Sequence, residues 1–236
     1  MILSTPGLVL HTTPYGESSV VAKVFTRQLG VRSYIIKGVR NGRSRVKQNL
    51  MQPLCSVDMV VYCNPKNDLN HVRELTPRHP DYESRPVGNA LRFFMTEVLY
   101  KAIREEEPMP ELWDYVEETC QGLTAEREAP TGNLPPVFML EVARPLGIEP
   151  LDNHTEREPL FDLQAGRFAA TANETTLPPA LSAMLHDYLG SPSPESLSYP
   201  LAARRALIDA LIAYFQLHLS GFRNFRSHEI LHTIMR

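Results

Sequence analysis

A mixed α+β chain in two parts is predicted: a β-rich segment over residues 1–80, then a helical segment over 81–236 carrying a small β-hairpin insertion. Three observations predict it. Apolar residues recur with a period of two through residues 6–80 and, from Glu83 onward, with the period of a helix. The change coincides with Pro77 and Pro80, which places the boundary at residues 77–84. Charge divides there too. Residues 1–80 hold eleven Lys and Arg against four Asp and Glu, a net of +7, and the remainder is −10, within a total of −3. A basic end on an acidic body predicts a polyanion-binding module joined to something else. A hydrophobic fraction of 43% is enough for a real core.

The first strand is expected at Gly7 to Thr13, ended by the turn signal Pro14-Tyr15-Gly16. Ser18 to Thr26 follows, rich in β-branched residues, and Leu29-Gly30 turns the chain into Val31 to Lys37. Cys55, Val57, Met59 and Val61 alternate with Ser56, Asp58, Val60 and Tyr62. After a turn at Asn64 to Asp68, a last strand runs from Leu69 to Leu75. About five short strands fit a sandwich or a small barrel, and the five-stranded oligonucleotide-binding (OB) barrel is one candidate.

Between the third and fourth strands lies Lys37-Gly38-Val39-Arg40-Asn41-Gly42-Arg43-Ser44-Arg45-Val46-Lys47: five cations, two glycines and no acid. Such a loop suits phosphate, because each Lys or Arg that neutralises a phosphate releases counterions without reading a base. Standing alone it would read as a solvated turn; the +7 charge around it favours binding. Arg27 and Arg32 join Lys37, Arg40, Arg43, Arg45 and Lys47 as candidate DNA contacts. Tyr15, Phe25 and Tyr34 are interleaved with these cations. Exposed aromatics on such a barrel stack on bases while cations track the backbone. Phe25 reads as core, whereas Tyr15 and Tyr34 are open to either role.

In the helical part, Val87, Leu91, Phe94 or Met95, Val98 and Ala102 make one stripe that ends near Glu105-Glu106-Glu107. A second helix from Glu111 places Leu112, Val116, Cys120 and Leu123 on one face, with Trp113 beside it and Glu117 and Glu118 toward solvent. A third runs from Pro135-Pro136 through Leu146. Residues 148–176 are irregular, with a hairpin pattern at 160–170. Leu177 to Leu189 is another helix, and Pro200 begins a long final one with Leu201, Ile208, Leu211 or Ile212, and Phe215 on its apolar face.

Several chemistries are set aside. Cys55, Cys63 and Cys120 form neither a disulfide framework nor a zinc quartet, and a reducing cytoplasm is the expected setting. The start lacks the pattern of a signal peptide, and no apolar run reaches membrane-spanning length. Gly38-x-x-x-Gly42-Arg43-Ser44 is one residue short of a P-loop and has Arg where the lysine belongs. His228-Glu229-Ile230-Leu231-His232 spells a zinc-protease signature, but only four residues follow His232, leaving no place for a downstream third ligand. Neither a metal nor another cofactor is expected, and no catalytic residue is named.

The residues Gly7-Leu8-Val9-Leu10-His11-Thr12, Tyr15-Gly16-Glu17-Ser18-Ser19, Phe25-Thr26-Arg27-Gln28-Leu29-Gly30, Lys37-Gly38-Val39-Arg40 and Leu50-Met51-Gln52-Pro53-Leu54 resemble the RecO family of bacterial recombination mediators. The likeness is dense over 1–80. Beyond that it is one of layout, with Leu146-Gly147-Ile148-x-Pro150 and a final helix bearing Tyr214 and His218-Leu219-x-Gly221. The resemblance implies an OB-fold followed by a helical domain, binding of single- and double-stranded DNA, and strand annealing. It also implies loading of RecA onto DNA coated by single-strand-binding protein, with RecR and often RecF as partners, in a cytoplasmic, nucleoid-associated setting and without a membrane. Many members carry a four-cysteine zinc site after the Leu-Gly step; here Asp152-Asn153-His154 and the hairpin occupy that region, so zinc is expected to be absent and packing must hold the hairpin. The family's docking of an acidic tail ending in an aromatic residue needs an apolar pocket rimmed by cations. Arg204, Arg205, Arg223 and Arg226 are the candidates, with Phe222 or Phe225 as lining. Without the resemblance, the alternatives are an RNA-binding OB protein, since phosphate contacts do not distinguish DNA from RNA, and a metalloprotease at His228 and His232.

Overall fold

The computed structural model describes residues 2–40, 48–63, 69–79, 86–104, 106–123 and 132–234. Two compact units divide the chain, Met1–Arg127 and Glu128–Arg236.

The first unit holds five strands: β1 (Ile2–Tyr15), β2 (Ser19–Thr26), β3 (Gly30–Ile36), β4 (Ser56–Tyr62) and β5 (Leu69–Pro77). They close into a barrel in the order β1-β2-β3-β5-β4. Only β3 and β5 pair in parallel. Of the two shapes the strand pattern allowed, the closed OB-like barrel is the one formed. β1 is longer than the apolar run predicted, because it is paired along both edges. Ile2 to Leu8 lie against β4, and Gly7 to Tyr15 lie against β2. Inward positions build the core, from Val9, Val20, Ala22, Val24, Tyr34 and Ile36 to Val57, Met59 and Val61.

Two helices pack in the same unit, α1 (Pro86–Ala102) and α2 (Pro110–Gly122). The predicted start of α1 at Glu83 and the turn at Asn64 to Asp68 lie outside the described residues. Trp113 of α2 is buried, and its indole Nε1–H donates to the Phe25 carbonyl at 2.9 Å. Glu117 corrects the expectation that it faces solvent: it is 6% exposed. Its Oε1 takes the Ser56 hydroxyl at 3.0 Å, Arg78 Nε at 2.9 Å and His79 Nε2 at 2.7 Å. A carboxylate with three partners tolerates burial that a lone one would not. Arg92 of α1 is likewise buried and donates to the Cys120 carbonyl at 2.8 Å.

The second unit contains α3 (Leu134–Ala143), the ribbon β6 (Leu160–Asp162) and β7 (Arg167–Ala169), α4 (Pro179–Gly190), α5 (Leu201–His218) and α6 (Ser227–Ile234). α3 stops three residues before the predicted end, in turns over 144–147 where Gly147 adopts φ +70°. Phe161 and Phe168 of the ribbon are buried edge to face at 5.1 Å, and Tyr214 of α5 donates to the Ile148 carbonyl at 2.8 Å.

Gly7 sits where β1 passes from one partner strand to the other, paired with both Thr26 and Val57. A Cβ there would lie 2.6 Å from Val24 Cγ1 and 3.0 Å from Met59 Cε. Gly7→Ala should therefore overpack the barrel and lower stability by about 1–3 kcal/mol. The check is a urea midpoint that falls at unchanged slope; an unshifted midpoint would mean that the core yields there without strain.

Candidate nucleic-acid interface

Pleat and closure decide which side chains a ligand can reach. β3 places Arg32, Tyr34 and Ile36 on its inward face. Tyr34 is fully buried in the barrel core, where burial pushes its phenol up to about 12. A buried ring offers no surface for a base, so Tyr34 is a core residue and not a stacking one. Arg32 tolerates the same face because it stands at the barrel's end. Its Nε donates to the Leu29 carbonyl at 3.3 Å, and its guanidinium lies 3.9 Å from Glu106. Arg27 forks onto Asp114 of α2 at 2.7 and 2.8 Å, a hydrogen bond that holds the Asp114 carboxyl below the usual carboxylate range. Gly30, at φ +67°, lets the β2–β3 turn pass under the Glu107 backbone, 2.4 Å from where a Cβ would stand. This end of the barrel is thus occupied by its own helical cap.

Lys37 and Arg40 differ. Lys37 follows the Val20–Ile36 pair on the outer face and is exposed. Arg40 is exposed, donates from Nη1 to the Gly16 carbonyl at 3.0 Å, and bonds through its backbone N–H to the Ser18 carbonyl at 2.9 Å. The basic segment therefore starts against the β1–β2 turn, beside Tyr15, which is 51% exposed. Arg43, Arg45 and Lys47 lie outside the described residues. The structure brings Tyr15, Lys37 and Arg40 together and leaves Arg27, Arg32 and Tyr34 to other tasks.

Sequence reading missed further members of the outer face. Tyr62 is 48% exposed, and the register pairs it with Ile2 and His71. Its outward phase was legible in the β4 alternation. Lys23 lies opposite His11 and Ser33, with its ammonium 5.1 Å from the Tyr100 ring centroid. Nothing in sequence joins Lys23 to a residue on a distant helix.

In the second unit, Phe222 and Phe225 are buried in a ring series running from Phe215 to His228, at centroid spacings of 5.0, 5.1 and 5.6 Å. They fill core. Arg204 packs against Gly132, and Arg205 donates to the His232 carbonyl, pinning α6 to α5. Arg223 and Arg226 remain exposed. A cavity of about 260 Å³ opens beside α3 and α4, lined by Val137, Leu140, Tyr188 and Pro192. Arg144 at its edge is paired with Glu141 at 3.0 Å and Glu149 at 2.9 Å.

His228 and His232 sit on α6 with rings 5.6 Å apart, and burial pulls His232 below the ordinary histidine value. Glu229 points to solvent. Among the described residues no three His, Cys, Asp or Glu groups are placed to hold a metal ion. The hairpin region is organised around Asp162 instead. Its carboxylate accepts from Gln164 N (2.8 Å), Ala165 N (3.2 Å), Asn173 Nδ2 (2.6 Å) and Thr175 Oγ1 (2.7 Å). Asn153 adds a two-way bond, donating to the Phe168 carbonyl at 3.0 Å and accepting its N–H at 2.8 Å.

A family model described as "Recombination protein O N terminal" matches residues 1–80, and one described as "Recombination protein O C terminal" matches 85–227. A protein from Porphyromonas gingivalis called "DNA repair protein RecO" is 30% identical over 244 residues, covering 99% of each chain. One of the same name from Christiangramia forsetii is 27% identical over 241 residues, again covering 99% of each. Among the described residues no helix is long and apolar enough to cross a membrane.

Burial opposes the charge on Asp162, but its hydrogen bonds outweigh that and hold the carboxyl below the usual Asp value. A depressed folded-state value adds stability above the unfolded Asp value, near ~3.9, and that stability is lost as pH falls through the folded value. Asp162→Ala should cost about 1–3 kcal/mol by orphaning these donors. It should also raise amide exchange across 160–177 and remove part of the acid sensitivity of the hairpin. Exchange protection equal to wild type would assign the hairpin's order to apolar packing alone.

Proposed function

The chain belongs to the RecO family of DNA repair proteins, and from that premise we propose that it binds single- and double-stranded DNA on the outer surface of its barrel. A role in DNA repair and recombination goes with the family. The finer reading is that the protein anneals complementary strands and helps load RecA onto DNA coated by single-strand-binding protein. It does so as a mediator, without catalysing a reaction, and with RecR and RecF as partners. The observation that carries the DNA-binding part is the grouping of exposed Tyr15, Lys37 and Arg40 beside the β1–β2 turn. Cations at the mouth of a small barrel neutralise backbone phosphates, and an aromatic beside them stacks on a base.

Docking of the acidic tail of single-strand-binding protein is proposed through exposed cations of the second unit. Arg223 and Arg226 are exposed, whereas Arg204 lies against Gly132, Arg205 donates to the His232 carbonyl, and Phe222 is core.

Replacing Lys37 and Arg40 together with Glu should weaken single-strand binding and flatten the log–log salt dependence by roughly 0.7 per lost contact. Arg27→Ala should leave both nearly unchanged, since that side chain is committed to Asp114. Anisotropy titrations with matched DNA and RNA over a salt series decide it, and an affinity indifferent to the Lys37/Arg40 double would remove the barrel mouth from the interface. For the tail, Arg223→Glu with Arg226→Glu should weaken capture of a fluorescent tail peptide, more so at low salt. Wild-type capture by the folded double would place the docking elsewhere.

A further inference from the structure

We infer that the single strand continues from the barrel onto α1, where Tyr100 and Phe93 supply stacking faces for its bases. This rests on the barrel being a nucleic-acid surface and extends its path. Nine of the seventeen residues of α1 are buried, yet two large aromatics stay outside: Phe93 is 51% exposed and Tyr100 39%. They are seven residues apart, which puts them on one side of the helix with about 10 Å of axial rise between them. Two large aromatics exposed in line on a helix that buries nine of its residues mark a contact surface.

The surroundings identify what the surface fits. Lys23 Nζ stands 5.1 Å from the Tyr100 ring centroid, and the His11 ring is 5.2 Å away. Both come from the outer face of β1 and β2, the same face that carries Lys37 four residues beyond Ser33, the partner of Lys23. Arg104 follows α1 and is exposed. The one acid between the rings, Glu97, is paired with Lys101 at 3.5 Å. Aromatic faces set among cations, with their acid neutralised, complement a polymer that alternates flat bases with phosphates. A base arriving on Tyr100 displaces the Lys23 ammonium from the ring. The lysine's flexible stem then lets that ammonium meet a neighbouring phosphate.

The experiment is anisotropy with oligo-dT and with an abasic strand of equal length, using wild type, Phe93→Ala with Tyr100→Ala, and Lys37→Glu with Arg40→Glu. The aromatic double should bind oligo-dT roughly 5- to 100-fold more weakly per ring lost. It should match wild type on the abasic strand and keep the wild-type salt slope, since no phosphate contact is removed. Wild-type affinity for oligo-dT in the folded aromatic double, while the Lys37/Arg40 double is impaired, overturns the inference and leaves the barrel reading standing. If the Lys37/Arg40 double also binds normally, the barrel reading itself fails. Equal losses on both strands would assign the rings a structural role and overturn the inference as well. Should the aromatic double not fold, Phe93→Trp and Tyr100→Trp serve instead. The single native tryptophan, Trp113, is 2% exposed, so quenching of the new indole by oligo-dT reports stacking directly. Unquenched fluorescence at saturating DNA would refute it.

Discussion

The pairing of β1 along both of its edges is the constraint on which the first unit depends. A five-stranded sheet has two edges, and each would expose a row of unpaired N–H and C=O groups. Here one fourteen-residue strand joins β4 with its first half and β2 with its second. The strand must bend where it changes partner, and Gly7 stands at that crossing with Val24 and Met59 pressed against it. Once the sheet is closed, every alternate residue of every strand is inside. Closure thereby fixes which cations and rings a ligand can touch.

The helical cap is the second determinant, and it works through polar groups rather than apolar ones alone. The indole N–H of Trp113 satisfies the Phe25 carbonyl, and the buried Glu117 carboxylate gathers donors from β4 and from the segment leaving β5. Arg27 reaches Asp114 from the same end. These bonds consume charges that would otherwise read as part of a phosphate-binding surface. The barrel is thus divided between a capped end, where arginines are structural, and an outer face with its turn at Tyr15 to Ser18, where Lys37 and Arg40 stay exposed. In the second unit the same economy recurs: Asp162 orders a hairpin through four donors, and Arg205 secures α6.

Much of the fold was legible because period and charge are local properties. The alternation of Val57, Met59 and Val61 with Asp58 and Tyr62 is visible in seven residues, and the outward phase of Tyr62, 48% exposed, lies within it. The stripe of α1 and the basic segment at Lys37 were visible for the same reason. Errors arose where a side chain's role depends on a partner distant in sequence. Glu117 was expected in solvent because its partners, Ser56 and Arg78, lie 61 and 39 residues away. Tyr34 shares its strand face with Arg32, and that cation hid the inward phase until the barrel's end gave Arg32 an exit.

By itself, then, the sequence determined the β-then-helix order, the basic character of the first part and the location of a cation-rich segment. Those follow from side-chain chemistry and spacing, which need no third dimension. Tertiary structure alone decided that the strands form a closed barrel rather than a sandwich, and that Phe222 and Phe225 are core. It also decided that Tyr100 is reached by Lys23 and His11 from other elements. The reason is physical: burial and ion pairing are properties of groups brought together by chain closure, and two residues seventy-seven positions apart carry no mark of their meeting until the chain has folded.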